Sequence, residues 1–371
     1  MALGFSGSNG GIGDRWTRIT VNELDQRQRD RWLWSPLEVS YFINNVCNLK
    51  CQHCYVAYER KGGALPIEHW QRIFGDCLAL GALTFGNVGK EPLLSWDATL
   101  ALLRWFQSVK AATHPALRYG LVTNATLLNE TSIRQMDEAD VSYLDISLDG
   151  SEAVHDGIRG AGTFRQSMDN IARLPERLKH RVFISFTAHV GNLDSLPELC
   201  ALIRRAGVRH IMVSPYVPTV FNAAPAGDQL ATPDAIIANY FRRLLDDGPA
   251  WFTKSDGLCI YFKNDYTTSR SLMTTLAKRG VLDLNNLLED EYGTIFSHTR
   301  AGEGTLFTNY QPFDPTIRKA LRISHDGRIG NCYDMFFPNF PQRARGDLTV
   351  EELAGIYEKI QSGERPVLFS A

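Results

Sequence analysis

Long apolar runs, a strong net charge and an apolar leader are all missing from this sequence. No apolar stretch approaches the roughly 20 residues that a membrane-spanning helix needs. The 39 Lys and Arg residues nearly balance the 41 Asp and Glu residues, for a net charge of −2, which disfavours a nucleic-acid-binding surface. Residues 1–13 have no basic start followed by an apolar core, so nothing there resembles a signal peptide. We therefore expect a cytoplasmic protein with no membrane partner.

Cysteine is scarce as well, with seven in 371 residues, and we expect no disulfides in a reducing cytosol. Three of the seven, Cys47, Cys51 and Cys54, nevertheless fall in one C-x3-C-x2-C stretch directly after a predicted strand. Such close spacing predicts three thiolates at one inorganic centre. Because a structural zinc or an ordinary cubane takes about four protein ligands, three cysteines would leave one iron of a cubane open. A zinc site with His53 as fourth ligand is the alternative.

The rest of the composition, 44% hydrophobic and 22% charged residues, is that of an ordinary globular protein with a catalytic domain and a smaller one. From residue 37 onward, predicted strands alternate with predicted helices. The strands are expected over residues 37–46, 82–88, 117–123, 143–148, 182–190 and 210–216, and the helices over 66–80, 96–112, 131–139, 163–174, 193–206 and 233–246. Six βα units in a row predict a parallel sheet with helices outside, curled by right-handed crossovers into a partial (βα)6 barrel.

Two of the predicted strands indicate which face of the sheet bears the polar side chains of an active site. Apolar and polar residues alternate along 144–149 and 182–189, so each strand has one apolar face for the helices and one largely polar face. The polar face must then line the barrel, where active sites lie at the carboxyl ends of the strands. Asp145, His189 and Tyr216 project inward by this parity, and we predict them as catalytic groups that exchange protons or hydrogen atoms with a substrate.

The cysteine spacing, with His53 before the third cysteine, resembles the signature of the radical S-adenosylmethionine (radical SAM) superfamily. The resemblance implies a [4Fe-4S] cluster held by Cys47, Cys51 and Cys54, whose free iron chelates SAM. It also implies cleavage of SAM to a 5'-deoxyadenosyl radical that removes a hydrogen atom from the substrate. His53 and Tyr55 would then lie beside the cofactor.

Further motifs extend the resemblance along the predicted strand ends. The G-K-E-P segment at 89–92 is similar to the family's G-G-E-P, with Lys90 in place of the second glycine, and it implies that Glu91 takes the SAM amino group. The T-N-A segment at 123–125 is similar to T-N-G and implies a cofactor contact from Asn124. The stretch 147–164, S-L-D-G followed by H-D-x-x-R-G-x-G-T-F, resembles the branch with SPASM or twitch extensions. It implies cofactor contacts from the residues Ser147, Asp149 and Arg159.

The regular pattern stops near residue 249. We expect an N-terminal extension over 1–35, partly disordered, a barrel over 36–249 and a smaller, irregular α+β domain over 250–371. Residues 321–332 read as a β-hairpin about Asp326-Gly327 and, with the G-D-L segment at 346–348, resemble a SPASM/twitch extension. Such an extension needs about four cysteines for one cluster, and only Cys259 and Cys332 follow the barrel. A degenerate extension is therefore predicted, with a cluster completed by His298, His325 or an aspartate as the alternative.

The resemblance implies hydrogen abstraction from a substrate, with an electron donor such as flavodoxin or ferredoxin. Relatives with SPASM-like extensions often modify ribosomally made peptides, so we predict crosslinking, epimerisation or another C–H functionalisation of a peptide. A sugar, nucleoside or amino acid in natural-product biosynthesis is the alternative substrate. An electron-transfer or metal-sensing module is the non-enzyme alternative, and it leaves Glu91, Ser147 and Arg159 unexplained.

Overall fold

The structure is a computed structural model. It describes residues 17–20, 38–54, 63–189, 191–216, 259–262, 277–278, 283, 285, 287–289, 295–301, 304–309, 320–330 and 346–361. The predicted helix over 233–246, Tyr55 and Cys332 lie outside these residues. The predicted boundary at 249 lies outside them too, so the domain division stays a prediction.

Six parallel strands form the centre of the sheet, and neighbours along the chain are neighbours in the sheet. They are β2 (Glu38–Tyr41), β3 (Thr84–Asn87), β4 (Arg118–Thr123), β5 (Tyr143–Ser147), β6 (Val182–Ala188) and β7 (His210–Pro215). The partial barrel expected from the sequence is confirmed. The first strand is shorter than predicted, because the chain leaves the sheet after Tyr41 to form the loop that carries the three cysteines.

Helices lie between these strands. They are α1 (Ile67–Ala79), α2 (Trp96–Ala112), α3 (Glu130–Glu138), α4 (Glu152–Arg159), α5 (Thr163–Ala172), α6 (Glu176–Lys179) and α7 (Leu196–Arg205), with 3-10 turns at Pro92–Ser95 and Leu193–Ser195. Helix α3 begins with a capping box, in which Asn129 and Ser132 bond each other's backbone N–H. Helix α4 was not predicted, since Gly157 in its interior weakens the helical pattern.

The two faces of the sheet differ as the alternation predicted. Leu144, Ile146 and Leu148 pack into the apolar core that also contains the buried faces of the helices. In α1 that face consists of Trp70, Ile73, Phe74, Cys77 and Leu78, at helical spacing. The alternate residues of the strands, among them Asp145, project to the opposite side of the sheet, inside the barrel.

The interior of the barrel is filled at its amino-terminal end by Tyr143. Its hydroxyl donates to the carbonyl oxygen of Phe85, two strands away, at 3.2 Å. The ring of Tyr143 can cross the barrel interior because β3 and β4 have glycines, Gly86 and Gly120, where the ring passes. A Cβ on Gly86 would overlap the Tyr143 hydroxyl, and one on Gly120 would overlap the Tyr143 carbonyl oxygen and lie 2.8 Å from its ring. These two glycines therefore make room for the floor of the barrel.

Strands from the C-terminal part of the chain extend the sheet at both edges. β12 (Ala320–Ile323) runs parallel to β2, and β8 (Cys259–Phe262) runs parallel to β7. The remaining strands are β1 (Thr17–Ile19), β9 (Leu287–Glu289), β10 (Ile295–Ala301), β11 (Gly304–Asn309), β13 (Arg328–Gly330) and β14 (Gly346–Asp347). The predicted hairpin is present as the antiparallel pair β12–β13. The last described helix, α8 (Leu353–Gln361), packs on α1.

Among the helices of the described residues, none has the length and apolar character needed to cross a membrane.

The floor of the barrel gives a first prediction. Gly86→Ala should lower the free energy of unfolding by about 1–3 kcal/mol, because the added methyl group overpacks the barrel interior. Tyr143→Phe should relieve much of that cost, since the nearest ring carbon, Cζ, would lie 3.8 Å from the new Cβ once the hydroxyl is gone. Denaturant unfolding of the two single variants and the double variant measures the coupling.

Gly120→Ala is the matched control, because its clash is with the backbone of Tyr143 and survives Tyr143→Phe. Rescue of Gly120→Ala to the same extent, or additive costs for Gly86→Ala and Tyr143→Phe, would contradict this account of the floor.

Candidate active site

The loop over residues 42–54 follows β2 and is held from two sides. On one side Asn44 Nδ2 donates to the Glu91 carbonyl oxygen (3.0 Å), and Glu91 N–H donates to the Val46 carbonyl oxygen (3.0 Å). On the other side Gln52 N–H donates to the Ile158 carbonyl oxygen (3.0 Å) and Gln52 Nε2 to that of Gly157 (2.8 Å). The cysteines between these attachments are thus fixed at the carboxyl end of the sheet.

Cys47, Cys51 and Cys54 lie close enough to influence one another's charge, and Arg159 Nη1 approaches Cys51 Sγ to 3.8 Å. Burial raises the pKa of Cys51 to about 11, although the nearby guanidinium opposes the shift. In the described part of the chain, no three His, Cys, Asp or Glu side chains converge closely enough to ligate a single metal ion. Cysteine thiolates are the usual ligands of iron–sulfur clusters, so the donor set of this loop fits such a cluster.

A buried carboxylate, Asp149, lies beside this loop and is completely hydrogen-bonded. Its Oδ2 accepts from His53 Nε2 (2.7 Å) and Arg159 Nε (2.5 Å), and its Oδ1 accepts from Thr187 N–H (2.9 Å). Burial by itself would raise the pKa of this carboxyl group, but Arg159 and then His53 outweigh it and hold the pKa well below its usual range. Asp149 is therefore an anion that joins the cysteine loop to α4 and β6.

A second buried carboxylate, Glu91, lies on the other side of the loop. Its Oε1 accepts from Thr123 Oγ1 (2.8 Å) and Leu93 N–H (3.1 Å), and its Oε2 accepts from Asn124 N–H (2.9 Å). Burial raises its pKa, although these hydrogen bonds oppose the shift. Asn124 Nδ2 in turn donates to Asn48 Oδ1 (2.9 Å) inside the cysteine loop, so Glu91 and Asn124 share one network with it.

The two positions where glycine is replaced keep a backbone conformation that glycine favours. Lys90 has φ 58° and Ala125 has φ 62°. Both angles lie in the left-handed region, which costs a residue with a Cβ roughly 1–2 kcal/mol. The turns before Glu91 and after Asn124 therefore adopt a conformation that glycine would accept without strain, and the surrounding hydrogen bonds hold them there.

Strand parity predicts that Asp145, His189 and Tyr216 lie inside the barrel. Asp145 is buried within β5, and Ser147 ends the same strand. His189 follows β6 and Tyr216 follows β7, with ring centroids 6.4 Å apart. The structure thus joins five of the predicted cofactor residues to the cysteine loop, namely His53, Glu91, Asn124, Asp149 and Arg159. It places His189 and Tyr216 together at the adjacent strand ends. Their roles remain predictions.

Three further residues contribute hydrogen bonds near the site: His155 and Asp156, which form the H-D pair of the motif, and Asn192. His155 Nδ1 accepts from Asp149 N–H (3.2 Å). Asp156 accepts from the N–H groups of Gly162 (2.6 Å) and Phe164 (2.9 Å), which fixes the turn into α5. Asn192 Nδ2 donates to the carbonyl oxygens of Asp149 and Thr187. The H-D pair of the motif was a usable signal for the first two, whereas nothing in the sequence marked Asn192.

The fold and the site together define a class of enzyme: a partial parallel barrel whose carboxyl end carries a three-cysteine loop between buried carboxylates. The profile of the radical SAM superfamily matches residues 41–203, a stretch that includes the cysteine loop, Glu91, Asp149 and Arg159. The cofactors of the family are a [4Fe-4S] cluster and SAM.

Among individual proteins, the chain is 29% identical over 171 residues to the PqqA peptide cyclase of Rhodopseudomonas palustris, a match that covers 45% of this chain and 43% of that protein. It is 27% identical over 189 residues to the AdoMet-dependent heme synthase of Methanosarcina barkeri, covering 50% and 52% of the two chains. The chain thus spans about half the length of these curated relatives.

Its fold is similar to that of Streptococcus suis SuiB, solved bound to the precursor peptide SuiA. The TM-score is 0.64 at 15% identity, over 98% of this chain and 75% of that one.

The environment of Asp149 gives a second prediction. Asp149→Asn should lower the free energy of unfolding at neutral pH by about 3–5 kcal/mol, because it leaves the buried Arg159 without its counter-ion. The folded-state pKa of Asp149 is depressed, so its contribution to stability is present above the unfolded pKa of about 4 and is lost as the pH falls below it. The difference between wild type and variant should therefore shrink below about pH 4 when unfolding is followed against pH.

Asp137→Asn makes the same chemical change in the surface pair of Asp137 with Arg177, whose side chains are 24% and 57% exposed. Solvent screens this pair, so its loss should cost much less. Equal costs for the two variants would show that Asp149 does not organise the site.

Proposed function

We propose that the chain is a radical SAM enzyme that modifies a peptide. The observation that carries the proposal is the cysteine loop itself, anchored between two buried carboxylates of which one pairs with Arg159. The match to the PqqA peptide cyclase of Rhodopseudomonas palustris supports a peptide as substrate. The similarity to SuiB supports the same substrate class, because SuiB has this fold and was solved bound to a precursor peptide.

In this proposal Cys47, Cys51 and Cys54 would hold the cluster, which needs their three side chains close together. The loop meets this demand because hydrogen bonds on both sides fix its backbone without using the thiols as donors. Arg159 Nη1, beside Cys51 Sγ, offsets part of the negative charge that three thiolates bring to a partly buried site.

The hydrogen-bond network around the cysteine loop also offers partners for the ammonium and carboxylate groups of SAM. Glu91 is 0% exposed and three donors hold its carboxylate, but Oε2 accepts only the Asn124 N–H, which leaves it able to accept a hydrogen bond from an ammonium group. On the other side, Arg159 commits Nε to Asp149 and Nη1 approaches Cys51 Sγ, which leaves Nη2 for a carboxylate. Opposite charges on the two sides of the loop would orient SAM.

When bound at these residues, the cluster and SAM would supply the chemistry that abstracts a hydrogen atom from the substrate. The chain's own part is to hold these groups at the carboxyl end of the strands, above an interior closed below by Tyr143. An external one-electron donor such as flavodoxin or ferredoxin is part of the proposal. A small-molecule substrate is the second candidate, because the Methanosarcina barkeri relative is named as a heme synthase.

Iron content and SAM cleavage test the cofactor assignment. After anaerobic reconstitution, wild type should bind about four irons per chain and form 5'-deoxyadenosine from SAM with a chemical reductant. A variant with Cys47, Cys51 and Cys54 all changed to Ala should do neither. Changing Cys77 and Cys200, which are buried on α1 and α7, to Ala is the matched control and should leave both properties intact.

About eight irons in wild type, with about four surviving the triple change, would mean a second cluster. Cys259 of β8 and Cys332, which lies outside the described residues, would then be its candidate ligands, against the degenerate extension predicted above. Iron binding without any 5'-deoxyadenosine would favour an electron-transfer module and reject the proposed function.

The substrate class is tested by hydrogen transfer. Short peptides encoded next to this chain's gene are produced perdeuterated and incubated with reduced enzyme and SAM. We expect deuterium in 5'-deoxyadenosine and a changed peptide mass, both read by mass spectrometry. The complete acid hydrolysate of the same peptides is the control, and deuterium transfer from the hydrolysate alone would point to an amino-acid substrate instead.

A further inference from the structure

Two polar side chains at neighbouring strand ends are buried with a polar atom that has no hydrogen-bond partner in the described part of the chain. They are His189, whose free atom is Nε2, and Tyr216, whose free atom is the hydroxyl oxygen. His189 is 6% exposed and Tyr216 is 1% exposed. Because a buried polar group without a partner costs stability, a pair of them at the open end of a barrel indicates a ligand.

The imidazole of His189 is fixed in one tautomer. Gly191 N–H donates to His189 Nδ1 at 3.1 Å, so Nδ1 carries the lone pair and the proton of the neutral ring is on Nε2. Burial, followed by the nearby His53, lowers the pKa of His189 and favours this neutral form. His189 therefore faces the barrel interior as a neutral hydrogen-bond donor.

The position of this donor is coupled to the cofactor side of the site. His189 N–H donates to Asn192 Oδ1 at 2.8 Å, and Asn192 Nδ2 donates to the carbonyl oxygen of Asp149 at 3.2 Å. Tyr216 is held beside the same turn, since its N–H donates to the carbonyl oxygen of Ala188 at 2.8 Å. The two rings meet edge to face, with centroids 6.4 Å apart. Both free atoms thus belong to one rigid corner adjoining Asp149.

We propose that His189 Nε2–H and the Tyr216 hydroxyl form a donor pair that binds a neutral carbonyl oxygen of the substrate. The pair supplies hydrogen-bond donors but no positive charge. The nearby cation Arg159 is committed to Asp149, to the cysteine loop and, in the proposed function, to the carboxylate of SAM. A carboxylate would bring a buried charge without a counter-ion, whereas an amide carbonyl oxygen needs only donors. For a peptide substrate, as proposed above, this oxygen is a backbone or side-chain amide oxygen.

The melting temperature distinguishes a hydroxyl group that is bonded to the protein from one that has no partner there. Tyr143 and Tyr216 are both buried inside the barrel, but the Tyr143 hydroxyl is bonded to the protein. Tyr143→Phe should lower the melting temperature by about 2 °C, whereas Tyr216→Phe should leave it unchanged or raise it. An equal loss in both variants would show that the Tyr216 hydroxyl has a partner within the protein and would overturn the proposal.

Binding is tested with N-acetyl amino-acid methylamides, the smallest molecules that carry two peptide carbonyl groups. The NMR signal of His189 Nε2 in protein labelled with ¹⁵N-histidine reports contact with the donor. We expect these amides to shift that signal, and Tyr216→Phe or His189→Leu to weaken their binding about tenfold each, as measured by saturation transfer. His189→Gln, which keeps an N–H donor, should restore part of the affinity, and Tyr143→Phe should not change it.

Tighter binding of the matching N-acetyl amino acids, which carry a carboxylate, would overturn the proposal, as would amide binding that none of the variants changes. The outcome is independent of the proposed function, because it requires neither the cluster nor SAM. If wild type shows the expected amide binding yet cannot cleave SAM, the donor pair stands and the proposed function fails.

Discussion

The ion pair between Asp149 and Arg159, buried beside the cysteine loop, is the interaction on which the site depends. An isolated carboxylate at 0% exposure would be prohibitively costly. Asp149 tolerates this position because Arg159, His53 and Thr187 N–H together occupy both of its oxygens. One anion thereby fixes α4, the cysteine loop and the end of β6 relative to one another.

This pairing also determines what Arg159 can do. With Nε held by Asp149 and Nη1 near Cys51 Sγ, the guanidinium is oriented before any ligand arrives. A flexible cation would lose conformational freedom on binding a carboxylate, and orientation in advance reduces that loss. The same reasoning applies to Glu91, whose carboxylate is held by Thr123, Leu93 and Asn124.

Much of this architecture could be predicted from the sequence, because it follows from periodicity. Alternation along 144–149 and 182–189 assigned both faces of the sheet, and the helix over Trp96–Ala112 has the predicted bounds. Helix α4 was missed because Gly157 interrupts its pattern, and its Gln52 contacts depend on a loop more than 100 residues away. Local patterns carry no information about such long-range pairings.

The glycine replacements show a different limit. A side chain disfavours a left-handed backbone conformation, so the sequence around Lys90 does not predict one there. The structure keeps φ 58° at Lys90 and φ 62° at Ala125. At these turns Glu91 N–H is bonded to Val46, and Ala125 N–H to Thr123 Oγ1. A tertiary hydrogen bond after Lys90 and a local one at Ala125 thus hold the two turns in the conformation that their side chains disfavour.

The site therefore has two parts that differ in how their polar groups are satisfied. Around the cysteine loop, the carboxylates Asp149 and Glu91 already have protein partners, so this part is rigid and suited to cofactors whose charges do not vary. At the ends of β6 and β7, His189 and Tyr216 are equally buried but keep a free polar atom each. Buried polar groups in proteins are nearly always hydrogen-bonded. In the proposal, the substrate therefore provides the partners that His189 Nε2 and the Tyr216 hydroxyl lack within the protein.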